Sequence, residues 1–535
     1  MAVAASGQWP LEWQGGDIVS AWKRKGDIRS CDASRGLLLS DHAAKGLAGM
    51  VKQSVEPAYE QNVPQDQYGA VRRRGADFAT HIVVTVAALA KAMNWSIFIL
   101  FLDLVKAFDR VVRQLVVGWG EVPAGERLAY LRSLGVAESA AAWIIEYLEE
   151  RGPLLEQWQV PKTSAMLLRT LHEGAWFRVS GGGRRFESRT GGRQGCKVGS
   201  LIFNAAYSVP LDILQWRLKQ AGITLKLRVP SGACWLPPDG ANDDFQHVLD
   251  VTFVDDECVV LTAPSAQTLR AAMDILMETL LGVFDKCHLQ LSWEAGESEA
   301  VVKFRGHGAV AAREVFRPPD GQLGRPLAKF GHQVVFRFVR EYKHLGSYID
   351  HEGMAATNIS AHARNALAAY APLACKFFGS SLVDQTYRLL FFRTLVVSRL
   401  LHNMSIFVLS PRAVRKLSGV WMRGLRRIAD QMRFSSDVKA YGLSVRLSLA
   451  IPSIDCLLTV ARLPYLGRVE RERPRSLIAA LHARPRGQPT PWVAAVRRDV
   501  TMLQTFGFSP TSLTSTLGRR SGAPGWPTSR RGNEK

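Results

Sequence analysis

Cysteine is scarce in this chain of 535 residues. The sequence holds seven cysteines, an odd number, and no two of them lie close together. Disulfide-stapled domains and cysteine-rich zinc modules need closely or regularly spaced cysteines, so the sequence excludes both classes. Scattered free thiols are typical of a reducing compartment, and we therefore expect a nuclear or cytoplasmic protein.

Long apolar runs are also missing. The longest apolar region, residues 82–102, is interrupted by Lys91 and Asn94, and each half is too short to span a bilayer. The N-terminus lacks the basic stretch and apolar core of a secretory signal. The sequence therefore predicts a soluble protein without a membrane partner.

Acidic residues are scarce only in the last third of the chain. Residues 351–535 hold 28 basic and 9 acidic residues, a balance of +19, whereas residues 1–350 hold 40 and 38. The net charge of +21 is therefore almost entirely C-terminal. Such a surface suits a polyanion or an acidic membrane, and nucleic acid is the first expectation.

The apolar patterns that are present predict an α+β fold. Residues 96–103, SIFILFLD, form an apolar run ended by an acid, as in a strand buried on both faces. Residues 248–261, VLDVTFVDDECVVL, predict two strands around a tight turn. Helices are predicted over residues 76–93, 124–149 and 201–220, and over most of residues 351–481. The Pro-, Gly- and Asp-rich residues 229–245 predict a surface insertion.

Three aspartates give these patterns their chemistry. Asp255 and Asp256 occupy the predicted hairpin turn, where Asn-Gly or Asp-Gly would suit the geometry better. Adjacent carboxylates repel each other unless a cation neutralises them, so the pair indicates a platform for a divalent metal, most naturally Mg²⁺. The alternatives are a solvated acidic turn and, for Asp103 at the end of the buried strand, a helix N-cap. Together the three acids would complete a two-metal site for nucleotidyl transfer.

Five segments resemble, in order, the motifs of reverse transcriptases. FLDLVKAFD (101–109) resembles motif A, GGRQGCKVGSLIFN (191–204) motif B, and FVDD (253–256) motif C. LQLSWEAGESEAVVKF (289–304) is similar to motif D, and EYKHLGSYID (341–350) to motif E, the primer grip. Residues 21–45 are similar to the fingers segment of non-LTR (LINE-type) retrotransposon enzymes. The resemblance covers about residues 15–430.

The resemblance implies a right-hand polymerase with fingers, a palm with an antiparallel sheet, and a helical thumb. An N-terminal extension and fingers would occupy residues 1–95, the palm with part of the fingers 96–350, and the thumb 351–430. A basic helical region (431–510) and a disordered tail (511–535) would follow. The implied activity is RNA-directed DNA synthesis, in which a DNA primer is extended with dNTPs on an RNA template. Two Mg²⁺ ions, or Mn²⁺ in their place, would be the cofactors, and no protein partner is indicated.

The resemblance also implies roles for individual residues. Asp103, Asp255 and Asp256 would be catalytic and hold the metal ions, and Phe108 would be the aromatic gate against a ribose 2′ hydroxyl. Other candidates are Gln194, Gly195, Lys23 (or Lys25) and Arg35 for the nucleotide, and Leu345 and Gly346 for the primer grip. The thumb would present Arg412, Arg415, Lys416, Arg423, Arg426 and Arg427 to nucleic acid. The alternative for each is an ordinary structural role: a core ring, a glycine-rich helix entry, a strand and turn, or a solvated basic face. Asp109 and Lys106 are interpreted as structural.

Departures from the family pattern keep other functions open. Glu297 stands where motif D has a lysine, and the nearest lysine, Lys303, lies six residues further on. Losing a general acid would lower activity. No endonuclease or Cys/His knuckle flanks the motifs, so we expect the polymerase part of a retroelement protein or a truncated copy.

Two alternative functions remain at this point. One is a catalytically impaired nucleic-acid-binding remnant of a retroelement. The other is a group II intron-type or telomerase-like enzyme, although the sequence has no recognisable maturase or telomerase RNA-binding module. Under the polymerase hypothesis, removal of residues 431–535 is expected to lower template affinity and its salt dependence more than the chemistry.

Overall fold

A computed structural model describes residues 3, 7–23, 26–30, 33–179, 182–236, 244–317, 324–327, 335–354, 356–429 and 438–505. The chain divides into two compact units. The first contains residues 1–79, 94–225 and 247–342, and the second contains residues 80–93, 226–246 and 343–535. The predicted tail, residues 511–535, lies outside the described residues.

The strands are β1 (Gly15–Trp22), β2 (Ser34–Ser40), β3 (Ser96–Leu102), β4 (Trp176–Val179), β5 (Arg185–Glu187), β6 (Leu225–Arg228), β7 (Phe245–Val248), β8 (Asp250–Phe253), β9 (Asp256–Ala263), β10 (Glu299–Lys303), β11 (Gly324–Pro326), β12 (Val335–Val339), β13 (Glu341–His344) and β14 (Ser347–Asp350).

The helices are α1 (His42–Asn62), α2 (Ala76–Ala92), α3 (Ala107–Arg110), α4 (Gln114–Val117), α5 (Arg127–Ser133), α6 (Glu138–Arg151), α7 (Leu154–Gln157), α8 (Lys162–Glu173), α9 (Gly199–Gln220), α10 (Ala266–Lys286), α11 (Ala309–Val315), α12 (Ala356–Tyr370), α13 (Gln385–Phe392), α14 (Ser398–Leu400), α15 (Pro411–Ile428), α16 (Val438–Ser448), α17 (Ile454–Glu472), α18 (Arg475–His482) and α19 (Pro491–Thr505). Residues Ala374–Phe378 and Arg393–Val397 form π-helical turns.

A six-stranded sheet is the centre of the first unit. Its order is β11-β12-β10-β3-β9-β8, and β3 pairs antiparallel with both of its neighbours. Every residue of β3 is buried, which explains its continuous apolar sequence, since a central strand covered on both faces has no solvent side. Helix α10 packs against β3 and β9. It begins at Ser265, whose hydroxyl accepts a hydrogen bond from the Thr268 N–H.

A second sheet lies nearer the N-terminus of the first unit. Its order is β2-β1-β4-β5, with β1 antiparallel to β2 and parallel to β4. Following β5 in sequence, α9 forms a long buried helix, most of whose residues from Leu201 to Leu211 belong to the main core. The predicted helix over residues 201–220 is therefore confirmed, and the predicted helix over 124–149 is present as two helices, α5 and α6.

The second unit is mainly helical. In α15, the Ser410 hydroxyl caps the first turn, and Pro411 occupies the first helical position, where its missing N–H costs nothing. The ring of Trp421 on this helix stacks on Phe392 of α13 at 5.7 Å between centroids. The described part of residues 351–481 is thus mostly helical as predicted, and α19 extends the helical region to Thr505.

The described part of residues 229–245 is not the loose surface insertion that its composition predicts. Cys234 and Trp235 are buried. The Cys234 N–H donates to the Glu470 carboxylate at 2.7 Å, and the Arg473 guanidinium donates to the carbonyl of Gly232 at 3.1 Å. The prediction was wrong because a segment rich in turn-forming residues can still pack well when another element satisfies its backbone.

The structure confirms the predicted α+β class, with a mixed sheet and a helical C-terminal region. Within the described ranges, the longest apolar helices fall short of what a bilayer crossing requires.

Candidate active site

Three aspartates lie at the ends of two neighbouring strands. Strand β3 ends at Leu102, which pairs with Glu257 in the antiparallel register with β9. Asp103 follows Leu102, so the register places it opposite Asp256, the first residue of β9. The backbones of neighbouring strands are about 4.8 Å apart. Asp255 precedes Asp256 in the turn between β8 and β9. Residues more than 150 positions apart in sequence are therefore brought together by strand pairing.

The turn lies one residue earlier than its sequence predicts. Phe253 pairs with Asp256, so the two turn residues are Val254 and Asp255, and Asp256 belongs to β9. Val254 has a positive φ of 62°. The prediction of an Asp255-Asp256 turn was wrong because the register fixes which residues form the loop, and β9 begins before its apolar run.

The carboxylates perturb one another. Burial raises the pKa of Asp103 to about 7, and the charges of Glu297, Asp256 and Asp255 add to this increase. Burial and the charge of Asp255 raise the pKa of Asp256 to about 6, and burial raises that of Asp255. A cation would relieve this repulsion. Oxygen donors of this kind are those that Mg²⁺ prefers.

The donor chemistry fits a divalent cation, but the side chains are not already arranged around one. In the described part of the chain, no three His, Cys, Asp or Glu side chains form a group that could hold a metal ion as placed. Asp103 is also not a helix N-cap, because α3 begins at Ala107 and Lys106 occupies the N-cap position with φ 50°. The alternative structural role of Asp103 is therefore wrong.

Glu297 is a fourth carboxyl group of the site. From the sequence, Glu297 was notable only because it stands where motif D has a lysine. Its side chain hydrogen bonds to Asp103 and contributes to the raised pKa of that group. The Tyr342 hydroxyl donates to the Glu297 carbonyl at 2.7 Å, and the Ser298 hydroxyl accepts from the Asp103 N–H at 3.1 Å. These contacts fix Glu297 beside Asp103, a proximity that no sequence spacing indicates.

Lys303 cannot take the place of the missing lysine. It lies on β10, where it pairs with Ile97 at the start of β3. Asp103 lies past the other end of β3, six residues away at about 3.3 Å per residue, which is roughly 20 Å. The nearest lysine in sequence is thus at the wrong end of the sheet.

Phe108, in the motif A segment, contacts the motif B segment. Its ring stacks on Phe203 of α9, with centroids 4.7 Å apart and planes inclined by 19°. The Gly192 N–H donates to the Phe108 carbonyl at 2.5 Å. Phe108 is half-buried. The two motifs that sequence similarity identified separately are therefore in contact.

Gln194 and Gly195 lie against β2. The Leu38 N–H donates to the Gln194 carbonyl at 2.9 Å. Gly195 has φ 97°, and a Cβ there would come within 2.6 Å of the Leu38 carbonyl oxygen. Only glycine fits both the left-handed backbone and the close approach. The motif B loop is thus pinned to the N-terminal sheet.

Arg35 and Lys23, the two basic candidates of the N-terminal sheet, act on different acidic residues. Burial raises the pKa of both Asp255 and Asp256, and the charge of Arg35, exposed on β2, opposes this rise. Lys23, which follows β1, instead acts on Asp109, whose pKa is raised by burial against the opposing charges of Lys106 and Lys23. The structure therefore brings Arg35 to the carboxylates. The competing candidate Lys25 lies outside the described residues.

Arg113 is a residue that no motif indicated. It is 2% exposed and donates hydrogen bonds to the carbonyls of Gly191, Thr190, Ser188 and His172, at 2.5 to 3.0 Å. Burial lowers its pKa to about 10, so it remains charged at neutral pH. Arg113 therefore holds the loop that leads into motif B. No sequence pattern could indicate this role, because the partners of Arg113 are backbone atoms.

The remaining candidates belong to the second unit. Leu345 and Gly346 form the turn between β13 and β14, with φ of 47° and 84°. On α15, Arg412, Arg415, Lys416 and Arg423 are exposed, and Arg426 and Arg427 are partly buried. Lys416 donates to the Ser360 hydroxyl and Arg427 to the Ala374 carbonyl, so these two have structural partners.

Comparison with known proteins finds only distant structural neighbours. The sequence matches no protein-family model and no curated protein. Telomerase from Candida tropicalis, in complex with the TWJ fragment of telomeric RNA, is 11% identical, with a TM-score of 0.41 over 96% of this chain. Apo telomerase from Candida tropicalis (12%, 0.39, 96%) and the Candida albicans telomerase with the TWJ fragment (12%, 0.36, 97%) are similar.

This chain spans 64% of the length of the first of these structures, and 69% and 67% of the others.

Proposed function

We propose that this protein is an RNA-directed DNA polymerase of the non-LTR retrotransposon type. One observation carries the proposal: Asp103, Asp255 and Asp256 occupy adjacent strand ends, where burial raises the pKa of all three and neighbouring aspartate charges add to the rise at Asp103 and Asp256. Three such acids are costly for the fold unless a cation binds among them. The resemblance of residues 21–45 to LINE-type fingers and the +19 C-terminal third support the finer assignment.

Each residue has a defined task in this reaction. Asp103, Asp255 and Asp256 would hold two Mg²⁺ ions, and bound Mg²⁺ would activate the primer 3′ hydroxyl and neutralise the leaving pyrophosphate. The charge of Arg35, already directed at Asp255 and Asp256, would attract the triphosphate. Gln194 and Gly195, fixed against β2, would line the nucleotide pocket. Leu345 and Gly346 would orient the primer end.

The test of this function is primer extension. Wild-type protein is expected to incorporate dTTP on a poly(rA)/oligo(dT) substrate with Mg²⁺, and EDTA is expected to stop it. RNA–DNA affinity is measured on the same sample. If binding is retained but no incorporation occurs under Mg²⁺ or Mn²⁺, the polymerase proposal is wrong.

A nucleic-acid-binding remnant is the second candidate function. The contact between Glu297 and Asp103 favours it, because one more carboxyl competes for the space and charge of a metal site. Binding without incorporation would be its signature.

Phe108→Val is expected to relax sugar selection. The half-buried ring, fixed by stacking on Phe203, would meet a ribose 2′ hydroxyl, and a smaller side chain removes that obstacle. We expect the ratio of kcat/KM for dTTP over UTP to fall by about 10- to 100-fold.

The matched control is Phe316→Val, which removes the same volume from a buried ring of the main core. It should leave the ratio unchanged. Equal ratios in wild type and Phe108→Val would exclude the gate.

Basic residues of α15 are expected to contact phosphates. Arg415→Gln combined with Arg423→Gln should lower the slope of log affinity against log salt by about 1.5, because each lost phosphate contact removes about 0.7 to 0.9. Affinity for an RNA–DNA duplex is measured by fluorescence anisotropy from low to moderate salt. The control pair, Arg217→Gln with Lys219→Gln on α9, removes the same exposed charge. Equal slopes for the two pairs would show that α15 is only a solvated face.

A further inference from the structure

The turn that carries Asp255 is held in a conformation that its sequence disfavours. Val254 is the first residue of a two-residue hairpin loop and has φ 62°. This is the position at which such hairpins favour glycine, and a β-branched residue there is strained. A strain of this size corresponds to about a 5- to 150-fold disadvantage in population. Other contacts must therefore hold the turn.

The side chain of Gln67 supplies those contacts. Its Oε1 accepts from the Val254 N–H at 2.9 Å, and its Nε2 donates to the Val254 carbonyl at 3.2 Å. The amide thus binds both backbone groups of the one strained residue. Gln67 is 1% exposed, so these bonds do not compete with bulk water.

The segment that carries Gln67, residues 66–69, is itself fixed to the sheet. The Tyr68 N–H donates to the Thr252 carbonyl at 2.7 Å, and the Thr252 N–H donates to the Asp66 carbonyl at 2.9 Å. The segment therefore covers the edge of β8, the last strand of the sheet. Gly69 completes the contact, since a Cβ at Gly69 would lie 2.4 Å from the Val254 nitrogen.

Two further residues keep this segment in shape. The Asn204 amide on α9 donates to the Gly69 carbonyl at 2.8 Å. The Arg74 guanidinium donates to the carbonyls of Pro64, Gln65 and Gln67, at 2.8 to 3.0 Å. A chain of hydrogen bonds thus runs from α9 through Gly69 and Gln67 to the Asp255 turn.

We propose that Gln67 is a positioning residue, whose amide clamps Val254 in its positive-φ conformation and thereby sets the direction of the Asp255 and Asp256 carboxylates. The inference rests on the proposed function, because the benefit of the clamp is a carboxylate pair ready for catalysis. Without it, Val254 relaxes to an extended or helical φ, and Asp255, the next residue, rotates with it.

The first test measures the clamp without any activity. In Gln67→Ala, hydrogen–deuterium exchange should accelerate at the amides of Val254 and Gly69, both of which donate to Gln67 Oε1. Exchange across β3 (Ser96–Leu102) should not change. Gln65→Ala is the matched control, because this neighbouring glutamine side chain is exposed. Unchanged exchange at Val254 would overturn the inference.

The second test is a rescue. Gln67→Ala should lower kcat for primer extension by about 10- to 100-fold, with the KM for dNTP and the affinity for primer-template within about threefold of wild type. Val254→Gly should restore most of this loss in the double variant, because glycine adopts positive φ without a clamp. Because kcat is referred to the folded protein in each sample, a merely structural defect, which lowers the folded fraction, would not appear in it.

The two tests separate failure of the inference from failure of the function. If wild type extends primers but the double variant is no better than Gln67→Ala, Gln67 acts through general stability and the clamp is wrong. If wild type is inactive while the exchange at Val254 changes as expected, the polymerase proposal is wrong and the clamp stands as a property of the turn.

Discussion

Asp255→Asn is expected to reduce dNTP incorporation by about 1,000-fold or more while leaving the fold and RNA affinity intact. Metal-assisted charge stabilisation is worth several kcal/mol, and about 1.4 kcal/mol corresponds to tenfold in rate. Asparagine keeps the shape of the half-buried side chain at the turn. The loss of incorporation should therefore reflect the missing charge. The rate of incorporation is measured by single-turnover primer extension.

Asp255→Asn should not destabilise the fold, although it lowers activity. The charge of Asp255 raises the pKa of Asp256, so its removal relieves repulsion in the metal-free protein. The urea midpoint of Asp255→Asn without divalent ions is thus expected to equal or exceed that of wild type. Asp109→Asn, which changes an exposed acid with an inferred structural role, is the control and should keep activity within about threefold. Retention of a tenth of wild-type activity by Asp255→Asn would contradict its role.

Removal of residues 430–535 is expected to unfold the second unit rather than only weaken template binding. His81 on α2 is fully buried; its Nδ1 lies 2.9 Å from the Tyr465 hydroxyl, and its ring is 4.7 Å from that of Trp492. Burial lowers the pKa of His81 to about 3, so it is neutral and adapted to an apolar contact. The truncation would expose this face of α2.

The energetic cost of that truncation is large. Buried side chains such as Tyr465, Leu477 and Trp492 contribute about 1.5–3 kcal/mol each, and a domain has about 5–15 kcal/mol in total. Loss of α17, α18 and α19 also leaves Cys234 and Gly232 without their partners Glu470 and Arg473.

Circular dichroism and limited proteolysis would report this unfolding. A chain ending at Thr505 retains every described contact and is the control. If the chain truncated at residue 429 unfolds as cooperatively as wild type, the basic region is a separate binding module, as its charge alone predicts.

The sequence predicted the main strands of the sheet well for a specific reason. After Ser96, SIFILFL has no polar position, and only a strand covered on both faces tolerates such a run. VTFV and CVVL, separated by acids, predict a hairpin in the same way. These patterns are local, so they do not depend on what the strands pack against.

Contacts between distant segments were not predictable in this way. Glu297 lies beside Asp103 because the segment before β10 is hydrogen bonded to the end of β3 through Ser298 and Ser292. Arg113 and Gln67 bind backbone atoms, which carry no sequence signature. The residues 229–236 are packed because Glu470, Arg473 and Arg497 satisfy them.

The sequence by itself therefore determined the α+β class, the order of the motifs and the identity of the acids, because these depend on side-chain pattern and residue type. The tertiary structure alone decided which residues share the site: Glu297 and Arg35 join the aspartates, whereas Lys303 lies at the far end of β10. It also moved the turn to Val254 and Asp255. The physical reason is strand register, which sets distances across the sheet independently of distances along the chain.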